Sequence, residues 1–185
     1  PSVADFVVGS NGVPDDSVVM KRWIEMHQVF FVVIQGICYR LEEYSRIRHV
    51  PLAAGKATAS VANLLYGSAA AMKLAGAMTA DQYNDIVRED MKNLHKKFSG
   101  LLASDHVHMV RLFRLLREGV ANDIGATTKI KAAVEYCYEA HALVCERFVG
   151  AGASLAGAGQ HGEATPSGVH QLREKYRKRT LANID

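Results

Sequence analysis

Apolar residues recur every three or four positions over most of the chain, and this period predicts amphipathic α-helices. A first long helix is predicted from about Val18 to Arg48, where Pro51 stops it. Asp15, Asp16 or Ser17 would cap its start. No stretch alternates apolar and polar residues as a half-buried strand does, so strands are not expected.

Further helices are predicted over about residues 58–78, 79–102, 106–120, 128–149 and 166–179, with Ser104 or Asp105 as the cap of the fourth. Thr79 opens the sequence "TADQ", a capping-box pattern that fixes the start of the third helix. The predicted fold class is therefore all-α, a helical bundle of about five to six helices. Residues 1–16 are predicted to form an irregular N-terminal arm, and residues 17–180 a single helical domain. A glycine-rich loop over 150–166 interrupts that domain.

Composition excludes several classes of protein. A net charge of +3 over 185 residues is well short of what a dedicated nucleic-acid binder carries. The longest apolar run, residues 29–38, is much shorter than the ~20 residues that span a bilayer, so no membrane partner is expected. Three cysteines do not suggest a disulfide framework, which favours a reducing, cytoplasmic location.

Two histidines are the best candidates for chemistry. His27 lies in the first helix and His141 in the fifth, each among apolar residues. Such residues are usually satisfied core histidines, but in an all-α protein a pair on separate helices also suits a haem site. Cys137, His141 and Cys145 follow one another at intervals of four, so a soft-metal site on one helical face is a further alternative.

Three segments, in the same order along the chain, resemble the tryptophan 2,3-dioxygenase superfamily of haem-dependent aromatic oxygenases. "MHQVFFVVIQ" offers a His-Gln pair, His27 and Gln28, and "HALVCERFVG" matches a His-x4-Glu-Arg-x-x-Gly segment from His141 to Gly150. "GEATPSGVHQLRE" resembles the loop and helix start that follow. The family's segment with the substrate-carboxylate arginine has no clear counterpart, so tryptophan is not assigned as the substrate.

The resemblance implies haem b held by His141, with the distal, catalytic His27 opposite. Arg147 is a candidate for binding the haem propionates. Thr165 and Ser167, in the third segment, would contact substrate, although the family's loop threonine aligns with Glu163 instead. Trp23 lies one helical turn from His27 and Phe30 lies close by, so both are expected to line the substrate pocket, although helical spacing also suits them as core residues.

The resulting hypothesis is a haem-binding domain that acts as an oxygenase on an indole- or phenol-type substrate, with O₂ bound at iron. A homo-oligomer is also expected. Two alternatives stay open, namely a non-catalytic haem-binding or sensing protein of the same fold and a cofactor-free helical interaction protein.

Overall fold

A computed structural model of the protein describes residues 15–94, 103–119 and 124–149, and all regular structure in these ranges is helical. The elements are α1 (Asp16–Ile47), α2 (Pro51–Ala75), α3 (Ala80–Gln82), a π-helical segment (Tyr83–Val87), α4 (Arg88–Leu94), α5 (Ser104–Gly119) and α6 (Ile124–Val149). The prediction of an all-α bundle is confirmed. Most of the predicted arm, the glycine-rich loop and the last predicted helix lie outside the described residues.

Two predicted boundaries differ from the structure. α2 begins at Pro51 and not near Thr58, because a proline at the first helical position gives up an N–H that has no partner there anyway. α6 likewise begins at Ile124, ahead of the predicted start at Thr128. None of the described helices combines the length and apolar composition needed to cross a membrane.

Side-chain caps fix the starts of α1 and α3 as the sequence predicts. The Asp15 carboxylate accepts a hydrogen bond from the Ser17 backbone N–H at 2.8 Å, and the Ser17 hydrogen bonds hold the pKa of Asp15 below its usual range. Thr79 and Gln82 form a reciprocal capping box, with both hydrogen bonds at 3.1 Å. The amide of Gln82 also donates to Asp16 at 2.8 Å, which ties this turn to the start of α1.

The helix directions follow from cross-helix contacts. Arg22 of α1 bonds to Ala77 just after α2, while Gly36 of α1 lies against Leu64 of α2, so α1 and α2 are antiparallel. α6 runs parallel to α2, since Cys137 contacts Ser68 and Val144 contacts Gly76. His141 of α6 is therefore brought to about the same level of the bundle as His27 of α1.

α5 packs against α1 and runs parallel to it. Gln35 donates to the Asp105 carboxylate at 3.1 Å, and one turn further along the pair His108 and Glu42 are 2.9 Å apart. Asp105 and His108, which the sequence places on one helical face, therefore each pair with α1 rather than with each other.

A main core lies between α1, α2, α5 and α6. Small residues fill the faces that α2 presents to its neighbours, which lets α1 and α6 approach it closely on two sides. The buried residues of the main core include Ile34, Ile37, Leu41, Ala57, Val61, Leu65, Ala69, Leu112, Leu116, Ile130, Ala133 and Val134.

A second cluster closes one end of the bundle. It brings together the start of α1, the end of α2, the π-helical segment and the end of α6, through Val19, Met78, Val87 and Phe148. Trp23, Tyr83 and Val144 pack against it among others.

Gly76 and Gly67 provide a matched test of this packing. A Cβ at Gly76 would lie 3.1 Å from a methyl of Val144 and 3.3 Å from the Phe148 ring, whereas one at Gly67 meets nothing within 4 Å. Gly76→Leu should lower the free energy of unfolding by about 1–3 kcal/mol through overpacking. Gly67→Leu should raise it by about 0.5 kcal/mol through helix propensity. Urea denaturation measures both, and equal effects would contradict the close approach of α6.

Candidate functional site

His141 lies half-buried on α6, on the face that carries Cys137 and Cys145. Burial lowers its pKa to about 4, and the charges of His106 and His27 add to that shift. The imidazole is therefore neutral near pH 7, the form that ligates a metal. His141, His27 and His106 come from α6, α1 and α5, so three helices bring imidazoles to one region of the bundle.

His27 is also half-buried, and its tautomer follows from its contacts. Its Nδ1 lies 2.7 Å from the backbone carbonyl of Trp23. Because a carbonyl only accepts, Nδ1 carries the hydrogen and the neutral ring keeps its lone pair on Nε2. Burial lowers the pKa of His27, and the hydrogen bond to Trp23 opposes that shift less strongly. The structure thus places an unprotonated Nε2 on His27, the form a general base requires.

Trp23 and Phe30, both predicted to line a substrate pocket, occupy different surroundings. The Trp23 ring lies 4.1 Å from the ring of His27, centroid to centroid and tilted by 36°, and it packs against the second cluster. Phe30 packs against the main core and meets Phe31 edge-on at 5.9 Å. Trp23 is thus in contact with the candidate base, while Phe30 is part of the core packing.

Sequence reasoning missed His106. Of the histidines of α5, His108 pairs with Glu42 at the surface. His106 is half-buried and precedes Met109 and Phe113 by three and seven residues, so it continues the apolar face of α5. Extending that face backward by one turn would have identified it.

Cys145 and Tyr83 complete the surroundings of His141. The Cys145 thiol lies 3.7 Å from Nε2 of His141, and burial raises the thiol pKa to about 11. Tyr83 stacks on Phe148 at 4.7 Å with ring planes 19° apart. Burial, and to a smaller degree the nearby Cys145, raise the pKa of Tyr83, while Arg88 opposes the shift. The π-helical turn that places Tyr83 here was not predicted from the sequence.

Arg147 does not point toward His141. Its Nη1 donates to the carbonyl of Gly76 at 3.4 Å, and its guanidinium lies over the Phe148 ring at 5.6 Å. It is exposed, as is Glu146. Arg147 therefore satisfies a carbonyl at the C-terminus of α2. The predicted substrate contacts Thr165 and Ser167 lie outside the described residues.

The donor set fits a haem better than a bare metal ion. Among the described residues, no three His, Cys, Asp or Glu side chains converge on a point where they would hold a metal. A haem supplies four nitrogen ligands of its own and asks the protein for only one or two more. A neutral, half-buried imidazole on a regular helix, with further imidazoles nearby, meets that requirement.

The low pKa of His141 predicts an acid-sensitive fold in the haem-free protein. In the unfolded chain the His141 imidazole takes up a proton near pH 6.5, whereas in the folded chain it does so only near pH 4. Stability is therefore full above the unfolded pKa and falls as the pH drops between the two values. By pH ~4.5 the loss from this group should reach about 2 kcal/mol.

The measurement is urea denaturation at about pH 7 and pH 4.5. In His141→Leu the free energy of unfolding should fall by about 2 kcal/mol less between the two pH values than in wild type. The control His49→Leu, at an exposed turn, should show the same fall as wild type. An identical pH dependence in wild type and His141→Leu would contradict the burial of His141.

Two comparisons with known proteins bear on this arrangement. The profile of the family described as SfmD 3-methyl-L-tyrosine peroxygenase matches residues 3–135. The 3-methyl-L-tyrosine peroxygenase of Streptomyces lavendulae is 28% identical over an alignment of 151 positions, which covers 77% of this chain and 41% of that protein. The chain thus spans about two fifths of the length of this relative.

These findings correct the family suggested by the three sequence segments. The matched profile ends at residue 135, ahead of the segment from His141 to Gly150 that was the most specific part of the resemblance. The structure leaves Glu146 and Arg147 of that segment exposed. The assignment to the tryptophan 2,3-dioxygenase superfamily is therefore wrong, and the chain belongs to the SfmD 3-methyl-L-tyrosine peroxygenase family.

Proposed function

We propose that the chain forms the helical part of a haem-dependent oxygenase that inserts oxygen into the ring of an aromatic amino acid or a related phenol. Membership of the peroxygenase family and the printed activity of the Streptomyces lavendulae relative support the reaction class. The observation that supports haem as the cofactor is His141, a half-buried imidazole that is kept neutral near pH 7 and has two further imidazoles nearby.

In this proposal His141 holds the iron of haem b through its neutral ring. Haem iron supplies the redox chemistry that activates the oxidant. α6 fixes the position of His141 by packing along α2, and burial keeps the ring unprotonated over the physiological pH range. Competition between a proton and iron for the same nitrogen is thereby removed near pH 7.

His27 is proposed as the acid–base residue. Its Nδ1–H is engaged with the Trp23 carbonyl, so the ring cannot rotate freely and Nε2 is the atom that takes up a proton. In this role Nε2 removes a proton from the oxidant or from the phenol and later returns it. Burial, which lowers the pKa of His27, favours the unprotonated starting form.

Trp23 is proposed to contact the aromatic ring of the substrate. Its indole already contacts His27, so a ring placed on it would lie close to the acid–base residue. The oxidant is proposed to be a peroxide, in keeping with the name of the relative, with O₂ as the other oxidant to be tested. Assembly as a homo-oligomer and a cytoplasmic location stay predictions of the sequence.

Haem binding is tested by titrating the protein with haem and recording the Soret band. Wild type should bind one equivalent, and His141→Ala should lose the band or shift it and weaken binding by at least about tenfold. The control His49→Ala changes an exposed histidine and should behave as wild type. Equal haem binding and identical spectra for wild type and His141→Ala would refute the role of His141.

The reaction is tested with haem-loaded protein, an aromatic amino acid such as 3-methyl-L-tyrosine, and either isotopically labelled peroxide or O₂ with a reductant. A product one oxygen atom heavier, with label from peroxide, supports a peroxygenase. His27→Gln should keep the haem spectrum but lower kcat/KM by about 10²-fold, because glutamine cannot take up the proton. An unchanged kcat/KM would show that His27 is not the base.

A further inference from the structure

Arg22 lies on α1, facing the end of α2, and only 8% of its surface is exposed. Its Nη2 donates a hydrogen bond to the carbonyl of Ala77, just beyond the C-terminus of α2. The negative end of the helix dipole favours a cation at this position. Arg147 makes a similar contact with the next carbonyl back, at Gly76, but does so from the exposed surface.

The other donor nitrogens of Arg22 are in a different situation from Nη2. Nε and Nη1 are both buried, and within the ranges that the structure describes neither has a hydrogen-bond partner. Burial lowers the pKa of Arg22, and no carboxylate in the described ranges counteracts it. A guanidinium nevertheless stays charged in proteins. A buried charged donor without an acceptor is strongly unfavourable, so the geometry calls for an acceptor beyond those described.

The chemistry of that acceptor follows from the surroundings. Val19, one turn before Arg22, is fully buried, and Met78, next to Ala77, is 2% exposed. In such a dry environment a negatively charged group balances the guanidinium better than a neutral carbonyl does. The planar fork of N–H groups also matches the two oxygens of a carboxylate.

We propose that Arg22 is the carboxylate-binding residue of this domain. This inference rests on the proposed function, which supplies two ligands that carry carboxylates, an aromatic amino acid and the propionates of haem. Val19 and Met78 belong to the same cluster that Trp23 packs against, so Arg22 borders the region where the substrate ring is proposed to bind.

The experiment uses the haem-free protein and its own fluorescence, because Trp23 is the single tryptophan of the chain. The protein is titrated with L-tyrosine and with L-tyrosine amide, which lacks the carboxylate. Wild type should bind the acid at least about tenfold more tightly, as expected for a charged hydrogen bond. Arg22→Met should abolish that preference, Arg22→Lys should retain part of it, and the control Arg46→Met, an exposed arginine of α1, should not change it.

A second arm distinguishes the source of the carboxylate. Absorbance titration compares haem with its dimethyl ester, in which both propionates are blocked. If Arg22 holds a propionate, wild type prefers free haem by at least about tenfold and Arg22→Met removes this preference instead of the one for the amino acid. Loss of either preference supports the proposal and names the ligand.

If Arg22→Met retains both preferences, the proposal is overturned. A lower melting temperature of the same variant would then show that the role of Arg22 is purely structural. Should Arg22→Met fail to fold, Arg22→Lys decides, since a single point charge cannot reproduce the fork and an unchanged preference again overturns the proposal. Wild type that binds neither haem nor aromatic amino acids refutes the proposed function together with this inference. Wild type that binds them with no role for Arg22 refutes only the inference.

Discussion

The close approach of α1 and α6 to α2 is the constraint on which the site depends. Most of the residues that α2 buries are alanines, and just beyond its end Gly76 leaves room only for the side chains of Val144 and Phe148. α2 is antiparallel to α1 and parallel to α6, and the packing of both on α2 fixes the position of each helix along the bundle axis. His27 and His141 come close enough for the charge of one to affect the pKa of the other, although more than a hundred residues separate them in sequence.

Packing at this level also determines the chemical state of the imidazoles. Burial is the largest cause of the low pKa of His141, and the neighbouring His27 and His106 reinforce it. Burial also lowers the pKa of His27, so the packing favours the neutral form of both His27 and His141. A histidine of low pKa weakens the fold in acid. The donors of Arg22 that have no acceptor among the described residues also reduce stability, so both costs fall where ligands are proposed to bind.

Much of this architecture was predictable from helical periodicity and capping residues. His27 and His141 were identified because each lies on an apolar helical face, and Asp15 and Thr79 because their caps are local in sequence. The apolar periodicity of α5, extended back by one turn, would have identified His106 as well, but its nearness to His141 depends on tertiary packing. The surroundings of Arg22 depend in the same way on where α2 ends relative to α1. The family was assigned wrongly because two of the three segments used for it lie beyond residue 135, where the matched family profile ends.

The π-helical segment Tyr83–Val87 has a consequence for how this part of the chain tolerates length changes. A π-turn contains one residue more than the α-helical turn it replaces, so deleting a single residue here would restore regular α-helix. The side chains on the two sides of the deletion would keep nearly the same orientation, whereas deleting a residue from regular α-helix rotates everything beyond it by about 100°. The irregular turn therefore takes up one extra residue between the capping box at Thr79 and α4 while Val87, and Met91 beyond it, still face the second cluster.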